Sequence, residues 1–301
     1  MRMSKLPLIA GIRHNALDDG PGIRTSIFFK GCILKCVWCH NPECISSDQE
    51  LLFTSKICEG CGECSRVCPS GAIEKKWPFA INRNLCDFCG KCVQECPSSA
   101  LSVVGTSMSV SEITKEVLKD KTFYDNSGGG ATLSGGEPTL YMDFAGELAK
   151  MLKDNGIHVC LETCGDFVWN NFAKKLLPYL DIVYIDMKFF DAQAHLKYTG
   201  HDNSQIRQNI LNLHKTNQVQ TLVRIPLIPG LTDSPENLKA SAQWLKKNGI
   251  KKIALLPYNP LWTGKATGLG KALEYHCDKW MTQQEQDQAF EFFRGFNLTD
   301  H

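Results

Sequence analysis

The sequence predicts an α/β fold: a parallel sheet of six strand–helix units, interrupted after the first strand by a small cysteine-rich insert. Three observations carry that prediction. From Ser109 onward, short apolar runs alternate with longer amphipathic stretches. Eight cysteines are packed into residues 50–106. A strand-like run, Thr25-Ser26-Ile27-Phe28-Phe29-Lys30, precedes that insert. Strands separated by helices imply parallel pairing, because a parallel crossover needs a long connection.

The elements follow in order. The chain divides into 1–49, 50–106 and 107–301, so the sheet is formed by the first and last stretches together. Residues 1–10 hold two early cations and an apolar run too short for a signal-peptide core. After the Thr25 run, strands are expected at 131–134, 157–162, 181–187, 221–226 and 252–256. Helical patterns cover 111–119, 143–153, 169–177, 205–215 and 234–247. Ser111 and Ser234 are the expected N-caps, the latter with Pro235 in the first turn. Six such units make an open sheet or an incomplete barrel, and periodicity does not choose between them. In both, the active site falls at the C-terminal ends of the strands.

Composition narrows the function. A formal net charge of +1 argues against electrostatic capture of nucleic acid or of an anionic membrane. No apolar run reaches bilayer length, so the cytoplasm is the expected location. Fifteen cysteines is an odd number, and their spacing is too regular for a disulfide framework. In a reducing compartment, such clusters hold metal.

The insert is an internal duplication. Cys58-x2-Cys61-x2-Cys64-x3-Cys68-Pro69 has the spacing of Cys86-x2-Cys89-x2-Cys92-x3-Cys96-Pro97. This is the bacterial ferredoxin pattern for two [4Fe–4S] clusters, in which the fourth cysteine of each run serves the other cluster. One cluster is therefore expected on Cys58, Cys61, Cys64 and Cys96, and the second on Cys86, Cys89, Cys92 and Cys68. A pair of zinc knuckles is the competing reading, and the spacing is more specific for cubanes.

Cys32-x3-Cys36-x2-Cys39 differs: three thiolates hold three irons of a third [4Fe–4S] cluster and leave the fourth iron open. This spacing resembles the motif of the radical S-adenosylmethionine (SAM) enzymes. Trp38 stands where that superfamily has an aromatic residue near the adenine. Cys44 lies off the pattern and reads as a buried or incidental thiol, and Cys160 as a core residue. Cys164, at a strand end, is a candidate for lining the active site.

Further motifs sharpen the resemblance. Asp19-Gly20-Pro21-Gly22-Ile23-Arg24-Thr25, Phe28-Phe29-Lys30-Gly31-Cys32 and Trp38-Cys39-His40-Asn41-Pro42-Glu43 are similar to the glycyl-radical-enzyme activating enzymes, of the longer type with a two-cluster insert. The match continues through 128–138, Thr199-Gly200 and Leu256-Pro257-Tyr258, and weakens after Lys271.

The resemblance implies an incomplete (β/α)6 barrel of the radical SAM type, carrying three [4Fe–4S] clusters and SAM. It implies that reductive cleavage of SAM gives a 5′-deoxyadenosyl radical, which takes hydrogen from a glycine on a loop of a partner enzyme. Asp19-Gly20-Pro21-Gly22 would help receive that loop. Flavodoxin or ferredoxin would supply electrons, the protein would be a monomer, and its setting would be anaerobic.

Site residues carry over by motif. Cys32, Cys36 and Cys39 would ligate the open cluster. Gly135, Gly136 and Glu137 would meet the methionine amino group. Glu162 and Asp186 would help form a monovalent-cation site beside the SAM carboxylate, Thr163 would belong to the same cofactor-binding segment, Lys188 would contact SAM, and Arg224 would hold the carboxylate. Glu162 and Cys164 depart from the family's usual residues, and the longer reach of Glu162 changes or removes the cation site. Asn259 replaces a histidine near the ribose; it can hydrogen-bond a hydroxyl but cannot titrate. Two other functions remain open on these residues: a radical SAM enzyme acting on a small molecule or peptide, and a non-catalytic iron–sulfur electron carrier.

Overall fold

The structure, a computed structural model, describes residues 6–74 and 81–299. Residues 1–5 of the amino-terminal reading and 75–80 of the insert lie outside the described residues.

The chain opens with β1 (Leu8–Ala16) and β2 (Arg24–Phe29), which pair antiparallel. The cysteine-rich stretch follows with β3 (Glu50–Phe53), α1 (Glu63–Arg66), α2 (Lys91–Gln94) and β4 (Leu101–Val104). β3 and β4 form their own two-stranded antiparallel sheet. β5 (Thr106–Ser107) then returns to pair with β1.

The alternating region comes next. α3 (Val110–Leu118) and α4 (Lys121–Ser127) lead to β6 (Gly130–Gly135). After it come α5 (Met142–Asp154), β7 (His158–Thr163), α6 (Trp169–Lys175) and β8 (Ile182–Asp186). α7 (Ala192–Thr199) and α8 (Ser204–Thr216) precede β9 (Gln220–Leu227). α9 (Pro235–Lys247), β10 (Lys252–Pro257), α10 (Trp262–Gly268), α11 (Gln283–Glu291) and β11 (Asn297–Leu298) complete the chain.

Nine strands make one sheet in the order β11-β10-β9-β8-β7-β6-β2-β1-β5. The six expected strands are β2, β6, β7, β8, β9 and β10, adjacent, parallel and in chain order. β1, β5 and β11 extend the sheet beyond that expectation.

Packing explains why the central strands were legible. β6 and β8 are buried along almost their whole length; β8 is apolar on both faces, whereas the second face of β6 carries Thr132 and Ser134, hydrogen-bonded to Asp19 and Glu162. One face packs on helices through Leu133, Leu148, Leu161 and Val183, in the main core. The other face holds a smaller cluster: Cys160, Ile182, Tyr184, Leu222 and Ala254. Ser234 caps α9 as expected, its side chain accepting from the Asn237 N–H. At α3 the cap is Ser109, not Ser111. Ser109 forms a capping box with Glu112, which satisfies two end groups at once. No helix among the described residues is long and apolar enough to cross a membrane.

Candidate active site

The loop after β2 folds back against the end of β6. Gly31 N–H donates to the Cys44 carbonyl at 2.8 Å, and Glu137 N–H to the Gly31 carbonyl at 2.8 Å. The two glycines of Ser134-Gly135-Gly136 make this approach possible. Gly135 has φ +101°, and a Cβ there would lie 2.5 Å from the Phe29 nitrogen. A Cβ on Gly136 would strike the carbonyls of Gly31 and Cys44. The result is a cleft of about 1030 Å³, open mouth included, at the C-terminal ends of the parallel strands.

Most of the expected residues meet there. Cys32, Cys36, Trp38 and Cys39 line the cleft from the β2 loop. Gly135 and Gly136 line it from β6, and Glu162, Thr163 and Cys164 from β7. Asp186 and Lys188 come from β8 and Arg224 from β9. Trp38 is buried, edge-on to Phe189 at 5.9 Å between ring centroids.

Strand register assembles the charges. Asp186 lies directly opposite Arg224 in the β8–β9 ladder. Arg224 Nε donates to Asp186 at 3.0 Å, and its Nη1 donates to Glu162. Lys188 Nζ donates to the other Asp186 oxygen at 2.7 Å, and Ser134 Oγ to Glu162 at 2.5 Å. Burial alone would raise the Asp186 pKa, but Lys188 and Arg224 outweigh it and hold the group below its ordinary value. Glu162 is pushed up by burial, with Asp19 and Asp186 adding to the shift against Arg224. Two acids thus face two bases in a network that balances its own charge.

The cysteine loop suits a multi-iron group. Burial pushes all three thiols up, Cys36 to about 12 even with Lys188 opposing. As thiolates they need compensating positive charge, which bound irons provide.

The eight insert cysteines sort into two quartets across the duplication. Cys58, Cys61, Cys64 and Cys96 line one cavity of about 290 Å³. Cys68, Cys86, Cys89 and Cys92 line another of about 360 Å³.

Two expected residues sit elsewhere. Glu137 is fully buried behind the cleft wall, not on it. Its carboxylate accepts from Thr139 N–H (3.1 Å), Thr139 Oγ1 (2.7 Å), Thr163 Oγ1 (2.9 Å) and Cys164 N–H (2.7 Å). With its lone pairs engaged by neighbours, it braces the β7 end. Asn259 lies past β10 and is not on the cleft wall; its side chain accepts from Leu261 N–H at 3.2 Å. Its backbone carbonyl instead bonds the His40 ring.

Sequence reasoning missed Asp19 and His40 as wall residues. Asp19 accepts from Ser26 Oγ at 2.5 Å. Its loop is pinned by the buried Arg24, which donates to the Pro21 carbonyl (3.1 Å) and to Thr132 Oγ1 (2.6 Å). The Asp-Gly-Pro-Gly motif was the available signal. His40 is held near pKa 4 by burial, and its Nε2 is buried with no partner among the described residues. Of the remaining thiols, Cys44 and Cys160 are buried as expected, and Cys164 lines the cleft.

Comparison with known proteins adds to this geometry. The radical SAM superfamily profile matches residues 82–245, and a 4Fe-4S dicluster domain profile matches 57–101. The chain is 41% identical over 279 residues to the benzylsuccinate synthase activating enzyme of Thauera aromatica, covering 90% of this chain and 84% of that one. It is 38% identical over 296 residues to the trans-4-hydroxy-L-proline dehydratase activating enzyme of Clostridioides difficile, covering 97% of each. It is 37% identical over 272 residues to the choline trimethylamine-lyase activating enzyme of Oleidesulfovibrio alaskensis, covering 87% of each. Among solved structures, a radical SAM methyltransferase from Sphaerobacter thermophilus superposes with TM-score 0.52 at 12% identity, covering 99% of this chain and 78% of that one, a likeness of fold alone.

Proposed function

This chain belongs to the glycyl-radical-enzyme activating enzymes of the radical SAM superfamily, and from that premise we propose how its own residues perform the activation. The observation that carries the reading is convergence. Cys32, Cys36 and Cys39 share one strand-end cleft with Gly135-Gly136 and the Glu162–Arg224–Asp186–Lys188 network.

In this reading Cys32, Cys36 and Cys39 would hold a [4Fe–4S] cluster in the cleft, beside bound SAM. The bound pair supplies one-electron cleavage of the sulfonium to a 5′-deoxyadenosyl radical. The protein's part is binding, charge and shielding. Trp38 offers an aromatic wall for the adenine. Gly135 and Gly136 expose backbone to the methionine amino group, a role in which Glu137 acts only by bracing Thr163 and Cys164. Arg224 spends Nε and Nη1 on the two acids, leaving Nη2 for the SAM carboxylate. Its guanidinium also stands where a monovalent cation would neutralise Glu162 and Asp186, so we propose that no added cation is needed. Lys188 keeps its proton: burial works against it, but Asp186 and Cys36 raise it above its ordinary value. The Asp19 loop, held by Arg24 and Thr132, receives the partner's glycine segment.

The target is a glycyl radical enzyme. The relatives above are named for three different ones, so the partner is proposed as a class: an enzyme that presents a glycine on a loop long enough to enter the cleft. Residues 50–106 are read as a ferredoxin-like domain with two [4Fe–4S] clusters, and 1–49 with 107–301 as an incomplete (β/α)6 barrel. Flavodoxin or ferredoxin is the proposed donor, and a cytoplasm free of oxygen the proposed setting.

Electron paramagnetic resonance (EPR) of the anaerobically loaded, dithionite-reduced protein tests the site. Adding SAM should change one component of the signal in the wild type and none in Cys36→Ala. A wild-type signal that ignores SAM would contradict the reading.

A further inference from the structure

The two cysteine quartets occupy different positions along one ladder. β3 and β4 are rooted on the main sheet at Glu50, which pairs with Val104. Glu50 accepts from the fully buried Lys30 at 2.9 Å and pairs with Lys271 at 3.0 Å. One step outward, Leu51 pairs with Val103, and both line the Cys68/Cys86/Cys89/Cys92 cavity. Two steps further, Phe53 pairs with Leu101, and both line the Cys58/Cys61/Cys64/Cys96 cavity. A strand advances about 3.3 Å per residue, so the second cavity lies roughly 7 Å farther along the ladder from its root.

Side chains across the seam give the same order. Arg83, shortly before Cys86, donates to the Leu51 carbonyl at 2.5 Å and to the Gly268 carbonyl of α10 at 2.8 Å. Burial lowers the Arg83 pKa, while Glu50 and Cys86 are the negative neighbours that oppose the shift. Lys271, on the other side of Glu50, donates to the Pro42 carbonyl at 2.6 Å and is a charged neighbour of Cys39. α10 also grips the cysteine loop, with Lys265 Nζ 2.6 Å from Glu43 and 3.3 Å from the His40 carbonyl. Glu50 is thus ion-paired to Lys271, which reaches the Pro42 carbonyl beside the cysteine loop, while Arg83 ties Leu51 of β3 to Gly268 of α10.

We propose that the insert is a directional relay: Cys68, Cys86, Cys89 and Cys92 form the inner station, beside the Cys32/Cys36/Cys39 loop, and Cys58, Cys61, Cys64 and Cys96 form the outer one. This rests on the reading that all three sites hold [4Fe–4S] clusters. One electron leaves a low-potential flavin or iron–sulfur protein outside the chain and reduces the outer station. Each hand-over then oxidises one station by one electron and reduces the next by one, ending at the cysteine loop. Arg83 and Lys271 place positive charge along the seam where the added electron passes.

The test uses the full chain, anaerobically loaded and fully reduced with dithionite, with Cys61→Ala to disable the outer station and Cys89→Ala the inner. Iron content should fall by one cluster's worth in each. The SAM-responsive EPR component marks the cysteine loop, and its broadening by the nearest reduced cluster is the readout. Cys61→Ala should keep that broadening, and Cys89→Ala should lose it severalfold. The reverse pattern, or equal behaviour in both, overturns the order. If an alanine variant fails to fold, Cys61→Ser and Cys89→Ser leave an oxygen ligand that alters the cluster signal without emptying the site. The altered signal coupled to the SAM-responsive one should then be that of Cys89→Ser, and coupling to that of Cys61→Ser overturns the order. A signal that ignores SAM in every variant overturns the functional reading itself, which separates that failure from a wrong order.

Discussion

The cleft and the insert are both built around cysteines, yet they are held together by different means. The cleft sits on the ends of adjacent parallel strands above a continuous core, with a charge network whose members satisfy one another. The insert's buried core is Leu51, Cys64, Ile73, Cys92 and Leu101, and two of those five are proposed cluster ligands. Its helices α1 and α2 are four residues each, far too short to stand by propensity. Packing therefore prepares the cleft before any cofactor arrives, whereas the insert, on the proposal that it holds two clusters, is expected to need them in order to fold.

Removing iron should break this comparison open. Chelation under anaerobic conditions should unfold the insert, exposing residues 57–101 to protease, while the main sheet keeps its far-UV circular dichroism. Simultaneous loss of both regions would mean that the main sheet also leans on its metal.

The next largest effect falls on the cleft. Arg224→Ala leaves Glu162 with only the Ser134 hydroxyl and Asp186 with only Lys188, so both acids lose their guanidinium partner and denaturant unfolding should show a loss of about 3–5 kcal/mol. SAM binding, followed by EPR, should be lost in the same variant. In the core beneath, Leu148→Ala should cost about 2–5 kcal/mol by transfer and cavity terms, moving the main sheet's transition and not the insert's.

A smaller effect concerns pH. Burial by itself would raise Asp181, but Lys153 and the Val159 N–H outweigh it and depress the folded-state pKa. Its contribution is therefore fully present at neutral pH and lost as pH falls below about 4, through the folded-state value. Asp181→Asn should flatten that acid limb of the stability curve, at a cost of about 1 kcal/mol or less for a half-buried pair.

The same contrast governs what could be read from the sequence. β8, and the apolar stretches within β2, β7, β9 and β10, were legible because buried strands read as short apolar runs, and β6 was legible from its place before the Gly-Gly turn. β1 was not: its Gly11, His14 and Asn15 are exposed, and register shifts interrupt its pairing with β2, so no clean alternation marks it in the sequence. The grouping of the insert's cysteines around two cavities was legible from the ferredoxin-like spacing of the two runs. In the cleft, the strand-end motifs were legible, but the Arg224 bridge was not. It depends on the register that sets Asp186 opposite Arg224 and brings Glu162 alongside on β7. Glu137 shows the opposite limit, since a motif names the residue without saying which way its carboxylate turns.

The central claim is that the cleft turns SAM and one electron into a radical. The direct measurement is 5′-deoxyadenosine formed from SAM by the anaerobically loaded, dithionite-reduced chain, beside Cys36→Ala. Product from the wild type and none from the variant is the predicted result. Equal product from both, or none from a wild type that carries its full iron and is supplied with a glycyl-loop partner, would contradict it.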